Sequence, residues 1–91
     1  MARVYVTIKI MPEDVEQDLN NISNEAKKKV TDYGGSVMEV KEEPVAFGVK
    51  SVNVTFTVDE SKGTTDALEE QIAKIKGVMS VNVTDVRRAI G

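Results

Sequence analysis

The chain has 91 residues and a net charge of −3, with no histidine and no cysteine. A chain this short is expected to form one domain, since single domains usually run about 100–200 residues, and burying only a little over ~60% of its unfolded surface leaves little room for a large closed pocket. The missing side chains exclude disulfides, thiol nucleophiles, iron–sulfur clusters, Cys/His zinc sites and imidazole acid–base chemistry, and the acidic balance disfavours nonspecific attachment to nucleic acid or anionic membrane.

The amino-terminal residues lead straight into an alternating run. No targeting segment or membrane span is expected, and the cytoplasm is the expected location. Over residues 4–10, Val4, Val6, Ile8 and Ile10 share one face and Tyr5, Thr7 and Lys9 the other, the pattern of a half-buried strand. Met11-Pro12 stops it. Glu13 and Asp14 then open a segment whose apolar positions Val15, Leu19, Ile22, Ala26 and Val30 recur at helical spacing. Acidic Glu13, Asp14, Glu16 and Asp18 near its start and Lys27, Lys28 and Lys29 near its end are placed as the helix dipole favours, and Gly34-Gly35 ends it.

A short second strand is expected over residues 37–41, broken by Glu42-Glu43-Pro44. The clearest strand follows. Val52, Val54, Phe56 and Val58 form its dry face, and Ser51, Asn53, Thr55 and Thr57 its wet one. After a polar turn over residues 59–63, Thr64 or Thr65 caps a second helix that turns Ala67, Leu68, Ile72 and Ile75 inward and stops at Gly77. A last strand spans residues 78–86 and leaves 87–91 as a tail. The repeated strand–helix–strand order is met economically by an α+β, ferredoxin-like βαββαβ sandwich, a four-stranded antiparallel sheet with two helices on one face.

This topology serves many activities, so the residues must choose among them. A paired-cysteine metal loop is absent after the first strand, and the open face of the third strand carries Asn53, Thr55 and Thr57, which leaves Tyr5 alone to stack a base. The adjacent pairs Glu42-Glu43, Asp59-Glu60 and Glu69-Glu70 do not converge on one site, since neighbours on a strand or helix point apart, and they read as solvated charge. Two features stand outside core, caps and solubility. Phe47 sits in a connection between Pro44 and Gly48, where it either folds back over the core or faces a partner. Arg87-Arg88 makes a cationic tip on an acidic chain, either a solvated terminus or a guanidinium fork for an anionic site.

At these segments the chain resembles the archaeal translation elongation factor 1-beta family, the guanine nucleotide exchange factors for elongation factor 1-alpha. The likeness runs through Val6-Thr7-Ile8-Lys9 with Met11-Pro12, then Glu42-Glu43-Pro44-Val45-Ala46-Phe47-Gly48, and last Val83-Thr84-Asp85-Val86-Arg87-Arg88. It implies a ferredoxin-like fold and an exchange activity that works by protein binding, without covalent chemistry and without a cofactor. The implied partner is elongation factor 1-alpha, GDP-bound and nucleotide-free, met by a factor that is a monomer on its own and touches neither nucleic acid nor membrane. In eukaryotic relatives a lysine near the C-terminus reaches the G protein's magnesium region, and Arg88 stands at that position here. The loop aromatic that contacts the partner is matched by Phe47. The partner-binding set implied is Phe47, Gly48, Lys50, Val86, Arg87 and Arg88, with Arg in place of the relatives' Lys and Val86 in place of an aromatic. The alternative from another class is a small-molecule-sensing regulatory domain of the same topology.

Overall fold

The computed structural model describes residues 3–46, 48–62 and 65–89. Strand β1 is Arg3–Pro12, helix α1 Leu19–Tyr33, β2 Ser36–Ala46, β3 Val49–Asp59, helix α2 Asp66–Ala73 and β4 Val78–Ala89, with a 3-10 turn over Glu60–Lys62. The strands form one sheet in the order β2-β3-β1-β4, every neighbouring pair antiparallel. Both helices pack on the face formed by Val6, Ile8, Ile10, Val52, Val54, Phe56 and Val58, all of them buried. Ile22, Ala26 and Val30 of α1 and Leu68 and Ile72 of α2 close that core from above. The expected α+β, ferredoxin-like sandwich is the observed one.

Each departure from the sequence pattern has a local cause. Helix α1 begins at Leu19 and not near Glu13, because two aspartates in succession capture backbone N–H groups. Asp14 Oδ1 accepts from Glu16 N at 2.9 Å, and Asp18 Oδ1 accepts from Asn20 N at 3.0 Å and Asn21 N at 3.2 Å. The second of these is the true cap, so residues 13–17 form a turn. That turn is braced by Glu13 N donating to Gly77 O at 2.8 Å. Val15, placed by periodicity in the core, is instead 59% exposed. Charge placement along α1 also differs from expectation. Neither acidic residues in the first turn nor basic ones in the last are present, and Lys27, Lys28 and Lys29 lie within the helix body. At the far end Gly34, with φ +99, allows Gly34 N to reach Thr31 O and Gly35 N to reach Val30 O, which stops the helix where Gly34-Gly35 was expected to.

Strand β2 runs through Glu42-Glu43-Pro44 to Ala46, and β4 runs through Arg87 and Arg88 to Ala89. Both extensions are edge effects. Pro44, paired with Lys50, lies on the outermost strand, where a missing N–H is tolerated. The arginines belong to the other edge strand and are held by pairing to β1, so they are not a loose tail. In α2, Thr65 precedes the helix without capping it through its side chain and Ala67 is exposed, while Ile75 is buried just beyond the helix end. Thr64 lies outside the described residues.

The polar face of β3 is drier than expected. Ser51 and Thr57 are buried there, since short side chains on an inner strand fall below the level of their taller neighbours. Ser51 Oγ donates to Glu43 O at 3.4 Å and accepts from Asn53 Nδ2 at 3.1 Å, and Thr7 and Thr55 share a hydroxyl hydrogen bond of 3.0 Å across the strands. Phe56, fully buried at the centre of the core, is the largest side chain there. Phe56→Ala should destabilise the protein by about 3–5 kcal/mol, measured by urea unfolding. At the end of β3, Asp59 Oδ1 accepts from Ser61 N at 2.9 Å, and the backbone and side chain of Ser61 together hold the carboxyl below its ordinary pKa. A depressed carboxylate contributes its stabilisation above the unfolded pKa and loses it as pH falls through the folded one. An NMR titration should therefore give Asp59 a midpoint below the ordinary aspartate value, and Ser61→Gly should move it upward.

Candidate functional site

The residues singled out in the sequence gather at two ends of the sheet. At one end Ala46 pairs with Val49, which closes the β2–β3 hairpin at a turn that includes Gly48. Gly48, with φ +78, takes the left-handed conformation this turn demands. Phe47 lies outside the described residues. Lys50 is exposed and shares the helix side of β3 with Val52. Beside it runs a shallow groove of about 230 Å³ lined by Pro12, Asp14, Val15, Leu19, Glu42, Gly48 and Lys50. A methyl group on Gly48 would lie 3.8 Å from Val15 Cγ1. The braced turn after β1 and the hairpin thus form one surface, in which Val15 and Val45 are exposed apolar side chains.

At the other end, Val86, Arg87 and Arg88 stand opposite Val6, Tyr5 and Val4 of β1. A bulge precedes them: Ile8 pairs with Val83 and Thr7 with Asp85, leaving Thr84 as an extra residue. The extra residue reverses the alternation of the strand. Before it, Val81 and Val83 face the helices and pack on the core; after it, Val86 and Arg88 take that side and Arg87 turns to the open face beside Tyr5. Val86 is 60% exposed although Val6, its partner, is buried. The two arginines therefore do not form one fork. They point to opposite faces, as neighbours on a strand must.

Each arginine has its own carboxylate. Arg87 Nε lies 3.0 Å from Asp85 Oδ2, two residues back on the same face, and Arg88 Nη2 lies 2.7 Å from Glu60 Oε2 of the 3-10 turn. Both pairs are largely open to solvent, so each contributes about 0–1 kcal/mol and serves orientation more than stability. Glu60 carries no signal in the sequence beyond its neighbour Asp59, a pair that reads as solvated charge. Only the proximity of the 3-10 turn to the end of β4 gives it a partner.

The two ends do not meet. From Lys50 to Val58, the β3 residue level with Arg88 through Val4, the strand advances about 26 Å at roughly 3.3 Å per residue. Any single surface touching both must extend along the whole sheet. Between them the open face carries a second groove, lined by Thr7, Lys9, Glu39, Lys41, Asn53 and Thr55 among others. Among the described residues no three Asp or Glu side chains converge to hold a metal ion, and no helix is long and apolar enough to cross a membrane.

Comparison with known proteins agrees with this architecture and narrows it. In the solved structures, the ACT domain of the GTP pyrophosphokinase of Chlorobium tepidum superposes with a TM-score of 0.60 at 16% identity, covering 88% of this chain and 96% of that one. The C-terminal domain of the MgtC protein from Mycobacterium tuberculosis gives 0.64 at 10% identity, covering 90% and 85%. At such identities the likeness is one of fold. The sequence relatives are nearer. Elongation factor 1-beta of Methanothermobacter thermautotrophicus is 40% identical over 97% of this chain and 98% of its own length, and that of Methanocella arvoryzae is 39% identical over 98% and 99%. Residues 5–89, which include both ends of the sheet, match the family described as the EF-1 guanine nucleotide exchange domain. With that match across nearly the whole fold, and full-length archaeal elongation factors 1-beta as relatives, the chain belongs to the EF-1 guanine nucleotide exchange domain family.

Proposed function

We propose that this chain promotes the exchange of GDP for GTP on elongation factor 1-alpha, binding both the GDP-bound and the nucleotide-free partner and acting through contacts alone. The observation that carries the reading is the position of Arg88: a guanidinium on a paired strand end, exposed on the helix side, and paired with a surface carboxylate. In the exchange complex it is directed at the region where Mg²⁺ and the phosphates of the bound nucleotide meet. A guanidinium there repels the metal and competes for phosphate oxygens, which loosens the nucleotide. Val86, exposed beside it on the same face, supplies apolar contact, and Arg87 on the opposite face meets a different part of the partner surface.

The hairpin end forms the second half of the grip. Phe47 anchors in a pocket of the partner, with Gly48 and Lys50 bordering it. Two contacts separated by about 26 Å along the strand direction fit a partner that spans the sheet, and a single-chain factor working as a monomer presents both at once. The stiffness of the sheet then matters for function, because it transmits the hold of one end to the other. The linkage is quantitative: a complex that weakens GDP binding must itself be weakened by GDP to the same degree, and ~3 kcal/mol of coupling corresponds to about 150-fold.

Release of labelled GDP from purified elongation factor 1-alpha tests this. Arg88→Ala should slow the catalysed release by about 10-fold or more while the melting temperature stays within a few degrees of the parent's. Catalysed rates equal to the parent's would remove Arg88 from the mechanism. Phe47→Ala should raise the KM for the partner; if partner affinity is retained and the domain unfolds more readily, Phe47 caps the core instead. Side-chain substitution is the cleaner probe here, since truncation before Val86 would strip Val4, Tyr5 and Val6 of their edge partners.

A further inference from the structure

We infer that Glu60 is a positioning residue for the exchange reaction: it holds the Arg88 guanidinium on the helix side of the sheet and occupies it until a partner anion takes its place. The inference rests on the Arg88 reading given above. Four observations carry it. Glu60 Oε2 lies 2.7 Å from Arg88 Nη2, one of the guanidinium's two terminal nitrogens, which are the ones that would lead into an anionic site. The bulge at Thr84 puts Arg88 on the side where the 3-10 turn can reach it, and Arg87, on the opposite face, is engaged by Asp85. The turn itself is fixed, because Asp59 accepts from Ser61 N at 2.9 Å and Glu60 sits between these two residues. Finally, the Glu60 and Arg88 side chains remain 42% and 67% exposed, so the pair is weak enough to be exchanged for a stronger one.

The consequence is a competition. Before Arg88 can meet phosphate oxygens, the carboxylate must let it go, so Glu60 lowers the affinity of the free factor for any anion and leaves the partner's concentrated charge as the preferred target. An exposed pair changes an equilibrium by a factor of up to about 5. Removing the charge of Glu60 should therefore tighten engagement of the partner without altering what Arg88 does once engaged.

The test is a four-protein cycle of the parent, Glu60→Gln, Arg88→Ala and the double variant, each assayed for GDP release from elongation factor 1-alpha over a range of partner concentrations. Glu60→Gln is expected to lower KM by about 2- to 5-fold with kcat near the parent value, an effect that fades at high salt. Glu60→Asp, which keeps the charge, should restore most of the parent KM. In the Arg88→Ala background, Glu60→Gln is expected to change nothing. If Glu60→Gln lowers KM equally with and without Arg88, the carboxylate acts through space on the partner and the inference fails. It fails also if Arg88→Ala slows exchange while Glu60→Gln leaves KM where it was. If Arg88→Ala leaves exchange untouched, it is the underlying assignment of Arg88 that falls, and this inference falls with it.

Discussion

The structure depends on one arrangement: β1 lies between β3 and β4 and pairs antiparallel with both along nearly its whole length. Val6, Ile8 and Ile10 are buried because that strand is flanked on two sides and roofed by helices on a third. Strand register follows from this burial, since a slip of one residue would turn every one of these side chains into water. Register in turn decides what the ends present. The β2–β3 turn projects at one end because β3 is in register with β1 through Val52 and Ile10, and the arginines of β4 stand at the other because Val4 and Tyr5 pair with them.

The bulge at Thr84 is the point where this frame becomes functional geometry. An uninterrupted β4 would keep Val81 and Val83 in phase with Arg87, and the helix side would then receive Arg87 in place of Arg88. One inserted residue exchanges them. It also brings Arg88 within reach of Glu60, which the 3-10 turn after β3 carries, so two segments distant in sequence settle the orientation of a single guanidinium. Surface ion pairs of this kind add little to stability, and their value lies in choosing a direction. The net charge of −3 is thus an average over a surface whose cationic end is partly neutralised by its own carboxylates.

Most of the fold was legible in the residues, and the places where it was not share a cause. Alternation located β1 and β3 because their inward residues are buried on one face of inner strands. Helical spacing located Ile22, Ala26, Val30, Leu68 and Ile72. Val15 also fits that spacing, but Asp14 and Asp18 hydrogen-bond the backbone just ahead of themselves, and local capping prevailed over periodicity. Pro44 reads as a break because the sequence does not say which strand lies at the edge. Ser51 and Thr57 read as wet because the depth of a short side chain depends on the height of its neighbours across the strands.

The sequence by itself determined the family, the topology, the core faces of the inner strands and the segments that bear the candidate contacts, because these rest on side-chain type and on spacing within a single element. Tertiary structure alone decided that those segments lie at opposite ends of one sheet, that Arg88 and not Arg87 faces the helix side, and that Glu60 engages Arg88. The physical reason is that pairing register, bulges and edge positions are properties of two strands together, and a guanidinium's direction follows from the strand across from it as much as from the residues on either side.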